Sequence, residues 1–191
     1  MTMVVDQRTS LVDAAVELLT EGGLDALTTR ALSERAGTTT MSIYSRFGGK
    51  DGVLAAVFDR GFSMLTAFLR SLPDRSDPLE GAVDACLAYR RFALDHPALY
   101  SVMVETEVSG FIGRTCASST DAFDELARRV RASLPADAEP LVPVATYSTW
   151  ALCHGLVGIE RTGIGTAKRD VSAEAVFGEA IRRHLAGFGA R

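Results

Sequence analysis

The chain has 191 residues, 47% hydrophobic and 23% charged, with a formal net charge of −4. That length and apolar content support one compact unit or two small ones with a real core, and they exclude a disordered polyelectrolyte. No uninterrupted run of about 18 apolar residues occurs, so no membrane span is expected. The N-terminus lacks the basic-then-apolar order of a secretory signal. Three cysteines (Cys86, Cys116 and Cys153) are odd in number, widely spaced and free of any CxxC pattern, so a reduced cytoplasm is expected rather than a disulfide framework.

Residues 1–5 read as a frayed lead. Helical periodicity then runs from about Asp6 to Thr20, burying Leu11, Val12, Ala15, Val16, Leu18 and Leu19, and Gly22-Gly23 closes it. Leu27 to Asp51 reads as two short helices bent around a glycine turn. Thr28 is suited to cap the first, Ala31, Leu32 and Ala36 give it an apolar side, and Gly37 supplies the left-handed residue that stops it. Thr39 is suited to cap the second, which runs to about Phe47 before Gly48-Gly49.

A long helix is expected from Lys50 to Leu72, with Val53, Leu54, Val57, Phe58, Leu65, Phe68 and Leu69 at helical spacing and Pro73 ending it. Asp77-Pro78-Leu79-Glu80 is a good helix start. That helix runs to about Leu94, and Pro97 opens a short one through about Val104. A loop is expected near Ser109 to Gly113, a helix from about Thr115 to Ser133, and a proline-bearing linker over 134–140. A long apolar helix follows from about Leu141 to Arg161, then a loop over Gly163 to Asp170. Ser172 caps a last helix through about Ala186. Strand signals are absent, so the expected fold is all-α with eight to ten helices, divided into an N-terminal domain over 1–49 and a helical domain over 50–191.

The second short helix carries the functional signal. At about 100° per residue, Ile43 and Phe47 share an inward face while Met41 and Ser45 lie opposite, flanked by Ser42, Tyr44, Thr40 and Arg46. Such a helix spans roughly 10–12 Å at ~1.5 Å per residue, comparable to the ~12 Å width of the DNA major groove. Gly37-Thr-Thr-Thr-Met-Ser-Ile-Tyr-Ser-Arg-Phe-Gly-Gly-Lys50, preceded by Leu27-Thr-Thr-Arg30, resembles the DNA-binding end of the TetR (tetracycline repressor) family. Leu11 to Leu19 followed by Gly22-Gly23 is similar to that family's first helix, so the N-terminal resemblance covers about Arg8 to Phe58. Polar Thr38 stands where the family usually has an aliphatic residue and Gly48 where it often has proline; neither departure threatens the fold, and either is able to loosen the turn.

The resemblance implies DNA contacts from Thr29, Arg30, Thr39, Thr40, Met41, Ser42, Tyr44, Ser45, Arg46 and Lys50. Chemically, Arg30 or Arg46 suits a guanine edge, Thr40 or Met41 a thymine methyl, and Tyr44, Thr29 and Lys50 suit phosphates. The chain has no asparagine and only Gln7, so the usual bidentate readers of adenine are missing and the essential contacts are expected at G·C pairs or thymine methyls. Charge at first argues against DNA: residues 1–50 hold five Arg and Lys against six Asp and Glu, a net of −1. Location answers this, since Asp13, Glu17 and Glu21 sit on the first helix and Arg30, Arg46 and Lys50 cluster at the reading head.

Trp150 to Gly158 resembles the Trp…His-Gly signature of one C-terminal subgroup of the same family, and Phe92 to Tyr100 is similar to that subgroup too. The resemblance implies a non-enzymatic, ligand-responsive repressor that binds a palindromic double-stranded operator as a homodimer. Dimerisation is expected through the last two long helices, with Val144, Tyr147, Ala151, Gly155 and Gly158 on one and Phe177, Ala180 and Ile181 on the other. It also implies a small lipophilic effector. Met64, Phe68, Phe92, Tyr100, Met103, Phe111, Phe123, Tyr147, Trp150 and His154 are its candidate contacts, though a packed core explains each of them equally well.

No metal or other cofactor is expected. Cys153 and His154 diverge by about 100° on a helix and do not converge on one ion. Gly48-Gly49-Lys50-Asp51 fails the Walker pattern at Tyr44 and Asp51, and Gly163-Ile-Gly165 has Lys168 where a dinucleotide fingerprint needs glycine. A catalytic or small-molecule-binding helical protein with a non-functional reading head, or an activator of the same family, remains the alternative.

Overall fold

A computed structural model describes residues 6–104, 117–163 and 172–189. The expectations for residues 1–5, the 109–113 loop, Phe111, Cys116 and the 164–170 segment fall outside them. Among the described residues the chain is helical, with no strand. It divides into two compact units, one built on Met1–Phe62 and His96–Cys116, the other on Ser63–Asp95 and Ala117–Arg191.

In the first unit, α1 (Gln7–Ala26) is two helical pieces, because Gly22 and Gly23 leave helical geometry and Gly23 has φ +64°. The glycine pair thus interrupts the helix as expected, but the chain turns helical again to Ala26. Leu11, Val12, Ala14, Ala15, Leu18 and Leu19 are buried, while Val16 is half-buried. Helices α2 (Thr29–Arg35) and α3 (Thr40–Phe47) pack on each other, and α2 packs on α1. The first part of α4 (Lys50–Ser71) adds Val53, Leu54 and Val57 to the same core. The short α6 (Pro97–Val104) also packs on α1, burying Leu99, Tyr100, Val102 and Met103.

The second unit is built around α5 (Pro78–Asp95), which packs against α7 (Ala117–Ser133), α8 (Val142–Thr162) and α9 (Ala173–Gly189). Its buried face is rich in alanine (Ala82, Ala85, Ala88 and Ala93) around Val83, Cys86, Tyr89 and Phe92, and small residues let helices approach closely. Phe177, Ile181 and Leu185 of α9 fill this core. The segment expected as a linker over 134–140 is instead a 3-10 helix, Ala136–Leu141, with Ala138 buried and Arg131 paired to Glu139.

A buried cation fastens the second unit. Arg129, 4% exposed, donates to Glu125 at 2.9 Å and to the carbonyls of Leu69 at 3.0 Å and Leu72 at 3.2 Å. Those carbonyls belong to the end of α4, where helical partners run out. Hydrogen bonds from Arg128 first, and then Arg129, hold the Glu125 carboxyl below the usual carboxylate range, while burial pushes the other way. Helix α4 is long and apolar enough, by length and composition, to cross a membrane, with a window of mean hydropathy 1.4. Its apolar stripe is used inside the protein: Val53, Val57, Leu65 and Leu69 are all buried.

Candidate nucleic-acid interface

The reading head is set by caps that the sequence specifies. The Thr28 hydroxyl accepts from the Ala31 N–H at 3.1 Å to start α2, and the Thr39 hydroxyl accepts from the Ser42 N–H at 3.3 Å to start α3. Between them Gly37 has φ +61°, and the Thr38 N–H donates to the Ser33 carbonyl at 2.9 Å. Gly48 ends α3 in the left-handed region at φ +75°, which proline, locked near −65°, does not reach. The two departures from the family pattern thus leave the turn formed. Gly48 makes a left-handed cap, and the Thr38 hydroxyl accepts from Gln7 Nε2 at 3.0 Å.

Glycine at position 52 lets α4 start directly against α3. A Cβ there would lie 1.7 Å from the Phe47 carbonyl oxygen. The added Cβ meets backbone, so no rotamer change relieves the clash.

On α3 the faces fall as the periodicity requires. Ile43 is 0% exposed, whereas Met41 is 74% and Tyr44 57% exposed. Thr39, Thr40, Ser45 and Arg46 are exposed and Ser42 is half-buried. Ser45 Oγ donates to the Ser42 carbonyl at 3.1 Å, and Arg46 Nε donates to Ser42 Oγ at 3.3 Å. Thr29 is half-buried. Arg30 projects into solvent and pairs with Glu34 at 3.0 Å, an exposed i,i+4 contact that a phosphate can replace at little cost. Lys50 Nζ donates to the Leu24 carbonyl at 3.0 Å, so its charge sits closer to the body than the sequence implied. Arg35 takes up the acidic side of α1 by bonding Glu17 and Glu21, and its hydrogen bond holds Glu21 below the ordinary carboxylate range.

Two residues absent from the sequence-based set also belong to this face. Gln7 joins Thr38 to Arg46, accepting from Arg46 Nη2 at 2.5 Å. The Arg8 guanidinium stacks 4.5 Å from the Phe47 ring centroid and donates to the Arg46 carbonyl at 3.3 Å. Periodicity carries no trace of such long-range side-chain contacts.

The expected effector residues fall in both units. Tyr100 and Met103 lie in the first unit and the other described ones in the second. Phe92, Tyr100 and Met103 are buried, and Met64, Phe68, Trp150 and His154 are half-buried. Phe123 is exposed, and so is Tyr147, at 62%, so within one chain neither lines an enclosed cavity. Tyr147, Trp150 and His154 do stack along α8, with successive ring centroids 5.7 and 6.2 Å apart. A cleft of about 340 Å³ lies elsewhere, lined by Arg8, Thr9, Val12, Ala56, Asp59 and Arg60, none of them among the expected contacts. Phe177 and Ile181 are 2% and 0% exposed; they are core of their own chain and not the outward dimer residues expected. The described residues contain no group of three metal-ligating side chains. Cys153 and Cys86 are buried free thiols, and their contact first, then burial, pushes the Cys153 thiol up.

A chain helical through its described residues, with a capped helix-turn-helix whose second helix turns hydroxyls, a tyrosine and a cation outward, has the features of a DNA-binding transcriptional regulator. Family models agree with the geometry: residues 11–57 match the model for bacterial regulatory proteins of the tetR family, and residues 82–184 match a tetracycline-repressor-like C-terminal domain. The chain belongs to the tetR family. It is similar to the HTH-type transcriptional regulator Rv0681 of Mycobacterium tuberculosis, 27% identical over 96% of this chain and 82% of the relative. The transcriptional repressor KstR of Rhodococcus jostii is 27% identical over 71% of this chain and 62% of its own length. Among solved structures, the regulator SCO7222 of Streptomyces coelicolor superposes with a TM-score of 0.72 at 24% identity, over 98% of both chains.

Proposed function

We propose that the chain is a ligand-responsive homodimeric repressor that reads a palindromic operator with α3. The observation that carries this is the split of α3 between a sealed Ile43 and an exposed Met41–Tyr44–Ser45 face ending in Arg46. Thr29, Arg30, Thr39, Thr40 and Ser42 border that face, and Lys50 flanks it. Residues 1–49 are the reading domain and 50–191 the effector and dimer domain. The work is done in the cytoplasm, where the DNA is.

The dimer face is formed by the last two long helices, with α8 supplying its exposed apolar stripe. Val144 and Ile159 are 53% and 55% exposed beside Tyr147, with exposed Ala151 and Gly155 between them. A Cβ at Gly155 or Gly158 would meet nothing of this chain within 4 Å, although each glycine costs about 1 kcal/mol inside a helix. Close approach by a second copy accounts for both glycines and for the apolar stripe. A two-fold dimer sets two reading helices about 34–36 Å apart, one turn of DNA. A small lipophilic effector bound among the aromatic and methionine side chains of the helical body would release DNA to the extent that it favours a second spacing.

The test is the double variant Tyr44→Ala with Arg30→Ala, assayed on an operator recovered with the wild-type chain. Operator affinity is expected to fall by about 100-fold, as for two lost contacts of 1–3 kcal/mol each. Unchanged affinity removes α3 as the reader.

A further inference from the structure

Gln7 is the first residue of α1, yet its side chain is committed to α3. Nε2 donates to Thr38 Oγ1, just before the α3 cap, and Oε1 accepts from Arg46 Nη2, one residue from the end of α3. Arginine only donates, so the contact with Arg46 fixes which end of the amide is oxygen. One side chain therefore links the residue before the α3 cap to a side chain that rises from its last turn. Arg46 is held at a second point by Ser42 Oγ, and two bonds from different guanidinium nitrogens fix the plane of the group. Next door, Arg8 covers Phe47 and satisfies the Arg46 carbonyl, one of the helix-end acceptors without an internal partner.

We propose that Gln7 is a positioning residue for operator recognition: it presets the Arg46 guanidinium and the pitch of α3 before DNA arrives. This rests on α3 being the DNA-reading helix. The physical gain is preorganisation. A free arginine carries several rotatable bonds, and immobilising it on binding costs affinity that a preset fork does not lose. Gln7 is exposed, and an exposed hydrogen bond adds little to folding, so its effect belongs in recognition rather than in stability. Both ends of the amide are already engaged, so Gln7 is not itself an adenine reader.

The experiment selects an operator from random duplexes with the full wild-type chain. It then measures affinity for that operator and for a random duplex with wild type, Gln7→Leu, Arg46→Ala, the double variant and Thr38→Val. Gln7→Leu is expected to weaken the operator about 10-fold, the scale of one charge-assisted hydrogen bond, while random-duplex binding shifts less than about twofold. The Gln7→Leu loss is expected to vanish in the Arg46→Ala background, with the melting temperature unchanged. Thr38→Val removes one of the two anchors and should give a smaller loss of the same kind, a second readout should Gln7→Leu fail to fold. Wild-type operator affinity in Gln7→Leu overturns the proposal, as does a loss that persists in full without the Arg46 side chain. A wild-type chain that selects no duplex at all overturns the regulator reading beneath it, and the proposal with it.

Discussion

Helices α3 and α8 each leave large apolar side chains in water, and their surroundings differ in kind. On α3, Met41 and Tyr44 are interleaved with Thr40, Ser45 and Arg46. On α8, Val144, Tyr147 and Ile159 are separated by alanine and glycine, and the stripe carries no charge from Pro143 to Ile159. A polyanion needs cations and hydroxyls within reach of its phosphates and base edges. A second copy of a helix needs small residues and shape, and a desolvated charge there is a penalty. An exposed aromatic alone does not identify a partner; the residues one turn away bear on which partner it would suit.

A charge placed on the α8 stripe is the strongest way to break that contrast. In the proposed α8 dimer, Tyr147→Asp would bury an unpaired carboxylate in each half, and an uncompensated buried charge costs on the order of 3 kcal/mol. Sedimentation equilibrium should show a monomer, with operator binding returning at high protein concentration. A dimer of unchanged affinity would take the second copy off α8.

The placement of α3 is tested next by Gly52→Ala, which drives a Cβ into the Phe47 carbonyl. Overpacking of this kind costs about 1–3 kcal/mol, read by denaturant unfolding, and operator affinity should fall with it while dimerisation is retained. Acid separates the units differently. The Glu125 carboxyl is depressed in the folded chain from about 4.5 in an unfolded one. Its contribution is complete above that value and is lost as pH falls through the lower folded one. Unfolding followed against pH should show Glu125→Gln flattening the acid limb without changing operator contacts. The smallest effect is on salt: Arg30→Ala should reduce the slope of log K against log salt by about 1 per subunit, while α8 variants leave the slope unchanged.

Much of this was legible in the residues because the signals are local. Thr28, Gly37, Thr39 and Gly48 each act within one helical turn, and the structure uses all four as caps or turn residues. The Asp77-Pro78 start and the Pro97 start fall at the same places for the same reason. What was not legible depends on side chains meeting across the chain. Nothing near Gln7 announces Thr38 and Arg46, more than thirty residues away. Phe177 and Ile181 have the spacing of either an interface or a core, and only the packing of α9 on α5 decides for the core. The 134–140 stretch has linker composition, yet Ala136–Leu141 forms a 3-10 helix that turns Ala138 into the core.

Genome-wide footprinting of the intact chain in its own host tests the central claim most directly. The account predicts a small set of protected sites with two-fold symmetry, whose half-sites lie one turn of DNA apart and whose protection disappears with the Tyr44 and Arg30 side chains. Diffuse protection with no shared sequence, or sharp sites that survive the loss of both side chains, would contradict it.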